Sequence, residues 1–311
     1  MVVPPEARAA VLAWFDARGR ALPFRGSRDP YAILVSEAMA QQTQVARAAA
    51  AWMAFMAAFP TVGVLAAASP ADVLRAWRGL GYNRRATNLR RAVIAIVAEH
   101  GGRVPRDIAA LERLPGVGPY TARAVAALAF GAPVGPVDTN VRRVLTRLFD
   151  AGPHVASARA LQATADAAAS SGERPGDWTH ALMDIGATTC RPRDPRCEAC
   201  PARPWCAFAR RAVPAGARPV GARPAGARAV ARQAHPGPRP AAGPFPSTSR
   251  WLRGRILDAL RDGADDGWVH LAAPLGRHDE AAVRASLSRL AAEGLAELHP
   301  SEPHVARLPL S

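Results

Sequence analysis

The stretch LERLPGVGPYTARAVAALAF, residues 111–130, constrains the fold more than any other. A short amphipathic helix ends at Leu114. Gly116 and Gly118 force a tight turn, and a second helix opens at Pro119 with Tyr120 in its first turn. A chain that joins helices this tightly is built by helix packing. Composition agrees: much of the 49% hydrophobic content is alanine, with few aromatics and few β-branched runs, which favours packed helices over sheets. The expectation is an all-α protein, and 311 residues allow two or three compact units.

Further helices are legible from their caps. Asp29 before Pro30 starts a helix carrying YAILVSEAMAQQTQVA, Ser69 caps SPADVLRAWRGL, and residues 87–100 form a helix closed by Gly101 and Gly102. Asp138 caps a helix with Val141, Val144, Leu145 and Leu148 on one face and Arg142, Arg143 and Arg147 on the other. Residues 48–71 carry no charge and are long enough to span a bilayer, but Pro60 and Gly63 interrupt them and alanine is weakly apolar. A buried helix ending near Phe59 is expected instead. The N-terminus lacks a signal-peptide pattern, so a cytoplasmic protein is expected.

Residues 212–249 are rich in Pro, Gly, Ala and Arg and cannot bury enough apolar surface to fold alone. Between Cys200 and Leu257 stand eleven arginines and no acid, so this basic linker either touches DNA or serves as a tether. Residues 250–311 regain periodicity. WLRGRILDALRD and DEAAVRASLSRLAAEG read as helices and LAELHP and HVARLPL as short strands, together a small winged-helix-like module.

The net charge is +15, and all 40 basic residues are arginine. Such a balance points to a polyanion, most simply nucleic acid, against the alternative that it only reflects the source genome. All four cysteines, Cys190, Cys197, Cys200 and Cys206, fall within CRPRDPRCEACPARPWC. Four thiolates from one short loop suit either a [4Fe–4S] cluster or an all-thiolate zinc site, and disulfides are disfavoured by the cytoplasmic reading. The loop's Arg191, Arg193 and Arg196 would meet phosphates if a metal held them rigid.

Helix, Pro-Gly-Val-Gly, helix is a helix-hairpin-helix signature, in which Gly116, Val117 and Gly118 bring backbone N–H groups to a phosphate without reading sequence. Glu37 lies two turns into an otherwise apolar helix, where burial would keep it partly protonated near neutrality, as a general acid requires. Singly, Glu37 could be a paired acid and Asp138 an ordinary cap. Their combination with the hairpin and the cysteine loop is the specific signal.

That combination, with LPFR, DPYAILVSEAMAQQTQV, FPTV, WRGLGYNRRATNL, LPGVGPYTARAV, VDTNVRRVLTR and ALMDIGATTC in order, resembles the helix-hairpin-helix DNA glycosylases, and among them the MutY-type adenine DNA glycosylases. The resemblance covers residues 5–211. It implies a catalytic body over residues 1–211, with a six-helix barrel over about residues 29–135. A second subdomain would join residues 1–28 to residues 136–211 and bind a [4Fe–4S] cluster through the four cysteines. It implies removal of adenine mispaired with 8-oxoguanine or guanine from double-stranded DNA, by a monomer with no nucleotide cofactor and no membrane attachment. Glu37 would protonate the base, Asp138 would stabilise the sugar cation, and Tyr120 and Asn140 would hydrogen-bond around them. Gln41, Gln42 and Thr43 would enter the duplex, with Tyr82, Arg84, Arg191 and Arg193 as further DNA contacts. The related endonuclease III family has a lysine nucleophile where Tyr120 stands, and this chain has no lysine at all, so a lysine-based lyase is excluded.

Phe24, Asn83 and Thr139 replace the family's usual tryptophan, tyrosine and glycine. The segment after the linker is too short for the Nudix-like domain of many relatives. The alternatives are another monofunctional mismatch glycosylase, acting on thymine in G·T pairs, an endonuclease III-like pyrimidine glycosylase, and a non-catalytic iron–sulfur DNA-binding protein. His100 and His180 show no ligand spacing and receive no role.

Overall fold

The computed structural model describes residues 3–149, 157–211, 244–264 and 267–310. Most of the linker expected over residues 212–249 lies outside them. The chain divides into two compact units, residues 1–68 with 79–213, and residues 69–78 with 214–311.

In the first unit, α1 is Pro5–Arg18, and a 3₁₀ turn, Pro23–Gly26, leads to α2, Pro30–Ala40. The Asp29 carboxylate accepts the Tyr31 N–H at 3.0 Å, so α2 starts where the sequence places it. Eight of the eleven residues of α2 are buried, and Glu37 is its only charged one, so α2 forms the centre of a helical bundle. Against it pack α3 (Val45–Ala58), α6 (Arg84–His100) and α8 (Pro119–Phe130), with α4 (Val62–Ala67) on α6 and α7 (Ile108–Arg113) on α8. The buried face of α8 is largely alanine, which lets α2, α7 and α11 (Pro175–Asp184) approach it closely.

The expected buried α3 is corrected: only Ala48, Ala49 and Phe55 of it are buried, and Met53 is 55% exposed. Alanine costs little in water, so an uncharged helix can still present one face to solvent. Among the described residues no helix is long and apolar enough to cross a membrane. The helix expected over residues 87–100 starts one turn earlier, at Arg84, and closes on Gly101 at φ 58°.

A second core lies in the same unit. Val3, Ala7 and Val11 of the N-terminal segment pack on α9 (Thr139–Phe149), α10 (Ala158–Ser170) and α11. Val141, Val144, Leu145 and Leu148 all face this core, as their spacing requires. Beyond α11 a π-helical turn, Ile185–Thr189, leads into the cysteine loop and α12, Ala207–Arg211.

The second unit contains α5 (Pro70–Ala76), α13 (Ser249–Asp262), α14 (Glu280–Ala292) and a three-stranded antiparallel sheet. The strands are β1 (Val269–His270), β2 (Glu297–Leu298) and β3 (Val305–Arg307), in the order β1-β3-β2. The expected hairpin is β2–β3, and β1 is a strand the sequence did not reveal. A third helix comes from α5, which packs on α13: the buried Arg261 donates Nε to the Leu74 carbonyl at 2.9 Å, and Arg78 pairs with Asp262 at 2.5 Å.

Candidate active site

The four residues expected to act on the substrate are linked: Tyr120 and the Asp138 charge act on Glu37, and Asn140 hydrogen-bonds Asp138. Glu37 is presented by the central helix, is half-buried, and lines a cavity with Phe24, Arg25, Ser36 and His180. Burial raises its pKa to about 7, with the Asp138 charge adding to the rise, while a hydrogen bond from the Tyr120 hydroxyl and the Arg25 charge oppose it. Tyr120 is pushed well above the ordinary phenol value by burial and by both carboxylates, so it stays a neutral donor.

Asp138 caps α9. One carboxylate oxygen accepts the Val141 N–H at 2.6 Å, and the other accepts the Asn140 side-chain amide at 3.1 Å. Asn140 Oδ1 in turn accepts from Arg143 at 2.8 Å, and Arg143 also donates to the carbonyls of Cys190 and Gly186, both at 2.6 Å. A Cβ on Gly186 would stand 2.6 Å from that of Asn140, so the π-helical turn fits against α9 only with glycine there.

The hairpin forms as expected, but its glycines differ. Gly116 adopts φ 77° and packs so that a Cβ would meet Asn88 at 2.7 Å, so both conformation and space demand it. Gly118 has φ −92° and an added methyl would meet no protein atom, so the fold does not require a glycine there. Val117 is committed to the fold: its side chain is buried and its N–H donates to the Leu114 carbonyl at 3.1 Å. The α8 N-terminus has no side-chain cap for the N–H groups of its first turn.

Of the residues expected to contact a duplex, Gln42 and Tyr82 are exposed, and both hold left-handed backbone, φ 54° and 46°. Such strain costs about 1–3 kcal/mol per residue and persists only where the surroundings impose it. Gln41 is turned inward, its amide donating to Thr121 Oγ1 at 3.2 Å, and Thr43 is half-buried. Arg84 and Arg193 are exposed, whereas Arg191 is folded onto its own loop, donating to the Asp194 carbonyl at 2.9 Å.

The four cysteines are unbridged and line one cavity, together with Arg147 and Phe208. No group of three or more His, Cys, Asp or Glu among the described residues could hold a single metal ion. Four thiols around one cavity, with no His or carboxylate among them, suit a group held by thiolates alone. Burial and the neighbouring thiols push Cys200 up to about 11, a penalty that a cationic core would reverse. Arg147 braces the loop through the carbonyls of Arg191 and Pro192, at 2.7 and 3.1 Å, and contacts Cys190 Sγ at 3.4 Å.

Two features escaped the sequence. Asp184 is fully buried and held by Arg20 and Arg25, with contacts of 2.5–2.8 Å. Burial alone would raise its pKa, but these hydrogen bonds hold the carboxyl below the usual range. His180 lines a cavity of about 190 Å³ with Phe24, Arg25, Ser36 and Glu37, and burial beside Arg25 lowers its pKa to about 4. Both residues lie in or beside ALMDIGATTC, but pairing over more than 150 positions carries no local signal.

A central helix bearing one acid, a hairpin opening toward it and a cysteine loop seated on the next helix define a class of base-excision protein. Residues 35–168 match the family described as HhH-GPD superfamily base excision DNA repair protein. An adenine DNA glycosylase of Mycolicibacterium smegmatis is 42% identical over 254 residues, 81% of this chain and 79% of its own. One of Mycobacterium tuberculosis is 40% identical over 254 residues, 81% of this chain and 77% of its own. Among solved structures, a thermostable thymine-DNA glycosylase is 30% identical with a TM-score of 0.61, covering 66% of this chain and 95% of that one. The chain belongs to the adenine DNA glycosylase family.

Proposed function

We propose that this protein hydrolyses the N-glycosidic bond of adenine mispaired with 8-oxoguanine or guanine in double-stranded DNA, and so begins base excision repair. What supports the reading is Glu37, a carboxyl that burial raises to about 7, within reach of the Tyr120 hydroxyl and the Asp138 charge. Adenine leaves poorly as an anion. Glu37 donates a proton to the extruded base, at N7, and the bond to the sugar breaks as the base departs neutral. The developing oxocarbenium charge is met by the Asp138 carboxylate, oriented by Asn140, as the second carboxylate of a retaining glycosidase meets it. Glu37, now ionised, takes the proton of the incoming water. Tyr120 offers no amine, so the reaction ends at an abasic site.

The four cysteines would hold a [4Fe–4S] cluster, which supplies rigidity to the loop rather than any step of the reaction. Arg193 on that loop, Arg84 and the uncapped N-terminus of α8 suit the phosphate backbone, and Gln42 and Tyr82 the base stack. The +15 charge favours the same partner. The protein would work as a monomer in the cytoplasm. Residues 69–78 with the segment after the linker would form an accessory module.

The test is single-turnover incubation with duplexes bearing A opposite 8-oxoguanine, A opposite G, and T opposite G, with and without alkali. Adenine release that needs alkali to reveal a strand break is expected, and Asp138→Asn should slow it about 10²–10⁴-fold with binding retained. Release of thymine in preference to adenine would replace this reading with that of the thymine-acting neighbour.

A further inference from the structure

Arg85 differs from the other arginines of this basic chain in where its charge is spent. It stands in the first turn of α6 and points inward. One terminal nitrogen donates to the carbonyls of Ala38, Met39 and Gln41, at 2.9, 2.9 and 2.5 Å. The other donates to Thr43 Oγ1 and to the carbonyls of Leu80 and Gly81, at 3.0, 3.1 and 3.0 Å. Its own N–H reaches the Tyr82 carbonyl at 2.9 Å, and its guanidinium lies 5.7 Å from the Tyr82 ring centre. One side chain therefore ties together the two turns that carry Gln42 and Tyr82. These are two of the four non-glycine residues with positive φ among the described residues, and both are exposed. Two adjacent turns held in strained backbone by a half-buried cation, with polar and aromatic side chains outward, make a preformed wedge.

We propose that Arg85 is a positioning residue that locks the turns at residues 41–43 and 80–82 into one rigid wedge for unstacking the duplex. This rests on the proposed action on mispaired adenine. The planar fork of arginine is required, because an ammonium cannot reach both rows of carbonyls at once. Losing the fork would leave phosphate binding intact and let both turns relax, so that the bound duplex stays stacked.

The test uses the full chain, a duplex with 2-aminopurine beside the mispaired adenine, and the variants Arg85→Lys and Arg85→Ala. Fluorescence reads unstacking, anisotropy on the same duplex reads binding, and single-turnover release reads chemistry. Wild type should give a fluorescence rise on binding. Both variants should lose most of that rise at saturating protein and release adenine about 10–100-fold more slowly, with affinity changed by less than about threefold. Thr43→Val, which removes one acceptor of the fork, should show the same pattern more weakly and serves if the Arg85 variants do not fold. A fluorescence rise and rate for Arg85→Lys equal to wild type would overturn the inference. So would binding that falls in proportion to rate, or an unchanged fluorescence rise in Thr43→Val. A wild-type protein that releases no adenine from any duplex would instead sink the proposed function.

Discussion

Replacing Glu37 by Gln should abolish adenine release and, above neutral pH, make the protein more stable. Both effects come from one displacement of the carboxyl, from 4.5 to about 7. At pH 7 an ordinary carboxyl of pKa 4.5 is only about 0.3% protonated, whereas one at about 7 is half protonated. The site therefore raises the supply of the acid form about 150-fold. Single-turnover release by wild type should be level below pH 6 and fall tenfold per pH unit above about 7. The stability sign follows from the same shift. The folded protein binds this proton more tightly than the unfolded chain, so Glu37 costs nothing below pH 4.5. The cost grows as pH rises and levels off above about 7, at about 3 kcal/mol. Glutamine keeps an acceptor for the Tyr120 hydroxyl but never ionises. At 2–4 °C per kcal/mol for a unit of this size, Glu37→Gln should melt about 6–12 °C above wild type at pH 8. The difference should shrink to about 1 kcal/mol at pH 5. A release rate flat from pH 6 to pH 9, or a melting difference identical at pH 5 and pH 8, would refute the reasoning.

Arg143→Gln should disconnect Asn140 from the Cys190 and Gly186 carbonyls, so adenine release should fall at least about tenfold and bound iron should drop, read by metal analysis of the purified protein. Tyr120→Lys should confer some strand cleavage and a borohydride-trappable adduct with DNA, seen as a shifted band on a denaturing gel. Gly116→Ala should destabilise by more than about 1 kcal/mol, because alanine meets both a left-handed backbone and Asn88, and denaturant unfolding will measure it.

What the sequence made legible was local. Asp29, Ser69 and Asp138 each cap the helix they were expected to cap, because a cap is decided within three residues. Glu37 stood out because one acid in a fully apolar helix has few structural explanations. The arginines were harder to sort. On α9 the spacing placed Arg143 and Arg147 on a polar face, and helical periodicity cannot distinguish a face turned to water from one that seats a loop of carbonyls. The two hairpin glycines looked equivalent in sequence, yet only Gly116 has its φ and its neighbour set by the fold. His180 carried no signal, since its role in the cavity depends on packing between helices far apart in the chain.

The same limit explains the least expected part of the site, a buried carboxylate that handles no substrate in the proposed reaction. A chain with fifteen excess positive charges would ordinarily strip the proton from any acid near them. Arg25 lies close enough to pull Glu37 toward the ionised form, and burial deepens the problem because field lines in a dry site are poorly screened. Asp184 answers that charge. It takes both terminal nitrogens of Arg25 and the Nε of Arg20, and its own negative charge is fixed by those contacts. The guanidinium beside Glu37 is thereby paired before it can dominate, and desolvation is left to set the acid near neutrality. A basic chain can keep a protonated carboxyl near its own arginines because Asp184 takes up the Arg25 charge that acts on it.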